Sequence, residues 1–335
     1  MRKALRFAVV ALSGLLGLIA TAWAAGALYF DLPIAWLRVP LALIYGLAML
    51  AALFFIKGRW RALGAVAAGF VVVLAWWFTI KPSNERNWQP NVAQLAWAEI
   101  NRDEVTLHNV RNCDYRTETD YTARWETRTV RLSQIMGIDL AINYWGSPWM
   151  AHPIVSFQFV DAPPICFSIE TRKQLGQTYS AIGGLYRQFE LIYIVADERD
   201  VIRVRTNYRP GEDVYLYRTT MTPSQARERF HEYVRSINEI RDHPRWYNAI
   251  TTNCTTSIRD QHPTAERMPW DWRLLLNGKG DELMFERHTI VTAGLPFPEL
   301  KARSLVNARA QASDASADFS ELIRVGLPDT MPSRR

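Results

Sequence analysis

Three long apolar stretches open the chain: Phe7–Phe30, Val39–Ile56 and Ala62–Ile80. A helix needs roughly 20 apolar residues to cross the hydrocarbon core of a bilayer, so each stretch is read as a span, the second and third near the short end. Core helices of a soluble protein seldom run this far without a charge. Gly, Ala and Trp recur along all three, as in packed membrane helices with aromatic anchors at the interface.

Charge sets the expected orientation. Arg2, Lys3 and Arg6 precede the first span, and Lys57, Arg59 and Arg61 fill the loop between the second and third. The loop between the first and second holds Asp31, Pro33 and a single basic residue, Arg38. The positive-inside rule therefore puts the N-terminus in the cytoplasm and everything after Lys81 outside, in the periplasm of a bacterium. The expected location is the bacterial inner membrane, multi-pass. Ala22-Trp23-Ala24 resembles a signal-peptidase site, but the apolar region is longer than a signal core, so a retained helix is expected. The chain then divides into a membrane domain (1–81), a periplasmic domain (82–300) and a polar tail (301–335). The tail is rich in Ala, Ser and charge and is expected to be partly disordered.

The net charge of +6 raises the question of nucleic acid. Basic residues alternate with acids, as in Asp197-Glu198-Arg199-Asp200, and no zinc-finger or RNA-binding spacing occurs, so that class is excluded. A surface facing anionic lipid accounts for the balance equally well. Three cysteines, Cys113, Cys166 and Cys254, allow one disulfide and one free thiol in an oxidising compartment. Cys113 with Cys166 is the candidate pair, and both also read as small core residues.

Beyond the linker 81–91, strand-like alternation occurs around Val105–Val110, Thr127–Leu132 and Asp139–Tyr144. A hairpin is expected next: strand His152–Phe159, the turn Asp161-Ala162-Pro163-Pro164, and the return strand Ile165–Glu170. Leu191–Val195, Val201–Thr206 and Val214–Tyr217 are further candidate strands. Thr222 and Pro223 start a helix that ends near His243-Pro244, and Trp270–Leu276 is a second helix candidate.

Between these helices lies Tyr247-Asn248-Ala249-Ile250-Thr251-Thr252-Asn253-Cys254-Thr255-Thr256. A cysteine where a polar turn feeds a helix is placed for nucleophilic chemistry, because helix N–H groups lower a thiol pKa and can hold an oxyanion. The ordinary alternative is a small buried thiol. A thiol nucleophile needs a base. Of the six histidines, His231 reads as surface, His243 as a helix end, His262 as too far along the cysteine helix, and His108 as lacking a polar companion. Two stay open. His288 follows Cys254 in the order of papain-like enzymes. His152 opens a strand after the loop Tyr144-Trp145-Gly146-Ser147-Pro148-Trp149, a plausible pocket wall, and Glu170 can face it across the hairpin to fix its tautomer. Alternatively His152 caps a strand and Glu170 pairs with Arg172. Alternation puts Cys166, Ser168 and Glu170 on one face, expected to line the cleft, and Ile165, Phe167 and Ile169 on the core face.

Several motifs occur in order: Tyr144-Trp145-Gly146-Ser147-Pro148 leading to His152, Ser168-Ile169-Glu170-Thr171-Arg172-Lys173, Tyr186-Arg187-Gln188-Phe189-Glu190, Thr206-Asn207-Tyr208-Arg209, and Asn253-Cys254-Thr255-Thr256. On these, the chain from about Trp88 to Pro298 resembles the bacterial Lnb N-terminal periplasmic domain family. The resemblance implies an α+β fold, a circularly permuted papain-like domain of NlpC/P60 type, preceded here by three transmembrane helices. In it histidine precedes cysteine, which makes His152 the base, Cys254 the nucleophile and Glu170 the third polar group, with Ser168 the weaker candidate. Tyr144, Trp145, Ser168 and Asn253 are the implied substrate-binding residues. Members resembling lipoprotein N-acyltransferases move an acyl chain from a phospholipid to a lipoprotein amine.

The expected function is thus a membrane-tethered periplasmic thiol acyltransferase acting on phospholipid and a lipoprotein or peptide. A cysteine peptidase or amidase, or a non-catalytic membrane-anchored binding module, are the alternatives. No cofactor and no metal are expected: the histidines and carboxylates lack ligand spacing, and Gly183-Gly184 has no lysine-serine sequel.

Overall fold

The computed structural model describes residues 2–260, 271–274 and 277–328, in two compact units. The first comprises Met1–Ser83, Tyr179–Glu190 and Trp246–Ala249. Its three helices, α1 (Arg2–Asp31), α2 (Ala35–Phe55) and α3 (Arg59–Thr79), are each long and apolar enough to cross a membrane. Each begins several residues before its apolar stretch, among basic residues, because hydropathy marks the apolar part of a helix and not its ends. Trp23 packs edge-on against Phe70 and Trp77, with ring centroids 5.7 and 5.1 Å apart. Phe54 and Phe55 point outward, 82% and 83% exposed, which suits lipid and not water.

Two short segments from far along the chain complete this unit. They are joined by Tyr247 N–H to Phe189 O (2.9 Å) and Ala249 N–H to Gly184 O (2.8 Å). Asp31, at the end of α1, accepts from Trp77 Nε1 at 2.7 Å, Arg187 N at 3.1 Å and Gln188 Nε2 at 3.2 Å. The Arg187 guanidinium lies 3.9 Å over the Trp77 ring and donates to the Trp77 and Ile80 carbonyls, both at 2.5 Å. It thereby adds a donor at the end of α3, where Trp77 O also accepts from Ile80 N–H at 3.2 Å. Gly26 makes room for Tyr186, since a Cβ there would overlap the phenol ring.

The second unit holds the sheet. Its strands are β1 (Trp97–Asn101), β2 (Glu104–Arg111), β3 (Asp114–Tyr115), β4 (Tyr121–Thr122), β5 (Trp125–Arg131), β6 (Ile135–Trp145), β7 (Ala151–Phe159), β8 (Ile165–Arg172), β9 (Glu190–Ala196) and β10 (Glu212–Arg218). The main sheet runs β1-β2-β9-β8-β7-β6-β10, with β5 also on β2; β3 and β4 form a separate ribbon. The helices are α4 (Glu198–Val201), α5 (Pro223–Asp242), α6 (Cys254–Asp260), α7 (Gly280–Glu286), α8 (Phe297–Ser304), α9 (Asn307–Ala312) and α10 (Phe319–Leu322). This unit is a mixed α+β architecture, preceded in the chain by the three long apolar helices.

The strands at the sheet centre are covered on both faces. Phe157 and Phe167 meet Phe230 and Tyr233 of α5, with centroids 5.0 Å apart for Phe157–Phe230 and 4.9 Å for Phe167–Tyr233. On the opposite face Ile154 and Cys166 join a cluster with Val201, Ile202, Val306, Ala310, Phe319 and Ile323. Thr222 caps α5 and Pro223 sits in its first turn, as expected, and Gln225 completes a capping box there.

Four expectations are corrected. Val201–Thr206 is no strand: Asp197 Oδ1 accepts from Arg199 N at 2.8 Å, and this N-cap starts α4, followed by a wide helical turn at Val204–Tyr208. A local cap outweighs the β-branched residues. Residues 301–328 are no loose tail, because Val306, Ala310, Phe319 and Ile323 are fully buried. Cys166 faces that packed cluster and not a cleft. Cys113 lies in a different cluster, with Tyr115 and Val204, and both cysteines are free thiols. Of the expected helix Trp270–Leu276, Trp272–Leu274 form one 3-10 turn; Trp270, Leu275 and Leu276 lie outside the described residues, as do His262 and residues 329–335.

Candidate active site

His152 is the second residue of β7. The β7–β8 register pairs Ile154 with Ser168, and extending it by one pair on the same face sets His152 opposite Glu170. The contacts follow a relay. His152 Nε2 lies 2.7 Å from Ser168 Oγ, Ser168 Oγ donates to Glu170 Oε1 at 2.7 Å, and Arg205 Nη2 donates to the same Oε1 at 2.9 Å. His152 and Glu170 are 4.0 Å apart, so Ser168 mediates what the sequence reading assigns to a direct bond. A serine hydroxyl has one proton. Given to the carboxylate, it leaves the oxygen to accept from His152 Nε2–H. The neutral imidazole therefore keeps its Nδ1 lone pair, which has no hydrogen-bond partner among the described residues.

Electrostatics reinforce that state. Burial, then the positive charge of Arg205, push the His152 pKa down to about 3, against the pull of Glu170. Burial would raise Glu170, but Arg205, Arg111 and the Ser168 hydrogen bond outweigh it and hold the carboxyl well below its ordinary range. Glu170 pairs with Arg205 and not Arg172; the Arg172 guanidinium donates to the Val92 and Ala93 carbonyls at 2.9 and 2.7 Å.

Cys254 opens α6, which packs on β7 and β8. Asn253 caps that helix, its Oδ1 accepting from Thr255 N at 3.0 Å and Thr256 N at 2.9 Å, so this oxygen serves the backbone. The polar neighbours of Cys254 Sγ are Asn277 Nδ2 at 3.6 Å and Thr255 Oγ1 at 3.8 Å. Burial raises the thiol pKa, and the hydrogen bonds from Thr255 and Asn277 oppose it without cancelling it. The sulfur is thus a neutral thiol at neutral pH and needs a base, where the helix-start argument expects a thiolate. No hydrogen bond joins Cys254 Sγ to His152 among the described residues. The Tyr233 hydroxyl, buried on α5, has no hydrogen-bond partner among the described residues.

Tyr144 donates its hydroxyl to Gly278 O at 3.0 Å and accepts from Lys301 Nζ at 3.1 Å. Trp145, half-buried, ends β6 opposite Glu212. His288 is exposed in the turn after α7 at a φ of 54°, and its carbonyl accepts from Thr220. His108 stacks on Trp97 with centroids 3.9 Å apart. Two residues escaped the sequence reading. Arg205 was hidden inside the segment read as a strand. Asn277 precedes Gly278, a turn dipeptide that could have marked it. Among the described residues no cluster of His, Cys, Asp and Glu is arranged to hold a metal ion.

No curated protein and no solved structure matches the chain. Residues 121–278 match the model of the Lnb N-terminal periplasmic domain, a stretch that contains His152, Ser168, Glu170, Arg205, Cys254 and Asn277. Residues 121–278 are thus similar to the Lnb N-terminal periplasmic domain, and the three long apolar helices that precede them fit a membrane-anchored protein.

Proposed function

We propose that the protein is a membrane-tethered periplasmic acyltransferase working through a thioester on Cys254. The observation that carries this reading is the His152–Ser168–Glu170 relay, a buried neutral imidazole with an unspent Nδ1 on a strand that packs against the Cys254 helix. The order of histidine strand and cysteine helix agrees with a permuted papain-like domain.

In the first half-reaction His152 Nδ1 takes the Cys254 proton, closing to hydrogen-bond or one-water reach as substrate binds. The sulfur attacks the ester carbonyl of a phospholipid, and the Cys254 N–H stabilises the oxyanion. The ester C–O bond breaks, and the departing alkoxide takes the proton from His152. Next a lipoprotein or peptide amine gives its proton to His152 and attacks the thioester. The C–S bond breaks, an amide forms, and the proton returns to sulfur. Ser168 and Glu170 keep the imidazole in the Nε2–H tautomer and support its transient positive charge. Three spans, with basic flanks that orient the domain to the periplasm, keep the enzyme at its lipid donor.

Mass spectrometry of the full-length protein, incubated with phospholipid in detergent, tests this. The expected result is one acyl chain on Cys254, absent in Cys254→Ser and strongly reduced in His152→Ala. An unmodified Cys254 in a protein that cleaves peptides would make it a hydrolase. No adduct and no cleavage would leave a binding module.

A further inference from the structure

We propose that Asn277 is the positioning residue for Cys254: it locks the thiol in register with the strand of His152 and favours its ionisation. This rests on the thioester reading of Cys254 above. The Asn277 carboxamide makes two contacts that point in different directions. Oδ1 accepts from Ala151 N at 2.8 Å, one residue before His152. Nδ2 donates to Cys254 Sγ at 3.6 Å and Thr255 Oγ1 at 3.3 Å. A single planar group thus spans the start of the β7 strand and the nucleophile.

The orientation of the amide follows from chemistry. A backbone N–H only donates, so the oxygen must face Ala151 and the NH₂ must face the sulfur. A donor aimed at sulfur stabilises thiolate over thiol. A brace serving Ala151 alone would have no need of it.

The backbone under Asn277 is fixed to suit. Gly278 donates to Trp149 O at 3.1 Å and accepts from the Tyr144 hydroxyl at 3.0 Å. A Cβ on Gly278 would overlap the Pro148 carbonyl and the Trp149 backbone, so only glycine lets the turn press this close. The loop before His152 and the turn bearing Asn277 therefore move as one body. Thr255 on α6, 3.8 Å from the sulfur, and Tyr233 on α5 are the other titratable or polar groups that face it among the described residues.

The test reads the pH profile of Cys254 alkylation by iodoacetamide in the full-length protein, by peptide mass spectrometry that separates Cys254 from Cys113 and Cys166. Asn277→Asp keeps the shape and the acceptor for Ala151 but turns a carboxylate toward sulfur. It should keep the melting temperature and move the profile up by at least one pH unit, about a tenfold slower reaction at a given pH below the midpoint. Asn277→Ala should shift it in the same direction by less. A profile superimposable on wild type in either folded variant overturns the proposal. So does an Asn277→Asp protein that no longer folds, which would make the residue a structural brace. A shifted profile in a protein that never forms an acyl adduct supports Asn277 and sinks the transferase reading. An adduct formed equally fast in wild type and Asn277→Asp does the reverse.

Discussion

Arg324 and Arg205 are both buried guanidiniums facing carboxylates beside the central strands, yet they use their donors differently. Arg324 donates through Nε to Asp139 at 2.8 Å, and through Nη1 and Nη2 to Glu198 at 2.8 and 2.6 Å, while Ser156 adds a further bond to Glu198. Every arm of that cluster ends on a partner. Arg205 reaches Glu170 through Nη2 and the Val201 carbonyl through Nη1, and its Nε has no partner among the described residues. From Glu170 the chain of bonds runs through Ser168 and His152 and stops at an open lone pair. Ser156 and His152 lie on the same face of β7. A closed polar network fixes a fold, and one with a free end can still exchange a proton.

The largest effects should separate the two clusters cleanly. His152→Ala should cut turnover by about 10²–10⁴-fold, the usual worth of a general base, at an unchanged melting temperature. Arg324→Met should do the opposite. Removing one partner strands buried carboxylates and costs about 3–5 kcal/mol in denaturant unfolding, with turnover per folded molecule preserved. An Arg324→Met protein as stable as wild type would dissolve the contrast.

A smaller effect probes the boundary. Glu170→Gln should lower turnover by about 10²-fold through loss of the carboxylate behind the imidazolium. It also leaves Arg205 without its charge partner, so some stability is lost as well. The double variant Glu170→Gln/Arg205→Met restores stability if that account is right, and it stays slow. Recovery of turnover along with stability would make Glu170 a purely structural partner of Arg205.

The smallest effect is a pH slope. His152 titrates near 6.5 when unfolded and near 3 in the fold. Between those values the unfolded chain binds a proton that the native site refuses, so stability falls as pH drops through this window, by up to about 1.4 kcal/mol per pH unit. Glu170, held below its ordinary 4.5, adds a loss of the same sign at lower pH. His152→Gln should flatten the slope between about pH 6.5 and 4.5; melting curves across that range that match wild type would exclude a buried neutral imidazole.

What the sequence discloses depends on how local each cause is. The three long helices announce themselves because a helix fit to cross a membrane carries an uninterrupted apolar run. The β7–β8 hairpin and α5 are equally plain, one from alternation around a Pro-Pro turn, the other from Thr222 and Pro223. His152 and Glu170 face each other because alternation and register alone dictate it. Other features depend on distant partners. Ser168 sits between them for reasons of side-chain length that no pattern carries. Arg205 reaches Glu170 only because a cap at Asp197 turns a β-branched segment helical. Residues 301–328 look polar because their buried residues are spaced over three short helices with no sustained period. Asn277 gains its meaning from Ala151, 126 positions earlier.

The Asp31 pocket has a consequence for biosynthesis. The carboxylate emerges from the ribosome with the first helix, but the Arg187 amide that it accepts from lies 156 positions later. At about 5–20 residues per second that is a wait of roughly 8–30 s, during which the three helices stand with this site unfinished. Trp77, on the third helix, reaches Asp31 first and can hold it in the interval. The helical unit is then assembled in three instalments: its helices first, the Tyr179–Glu190 segment next, and Trp246–Ala249 last, shortly before the cysteine is made.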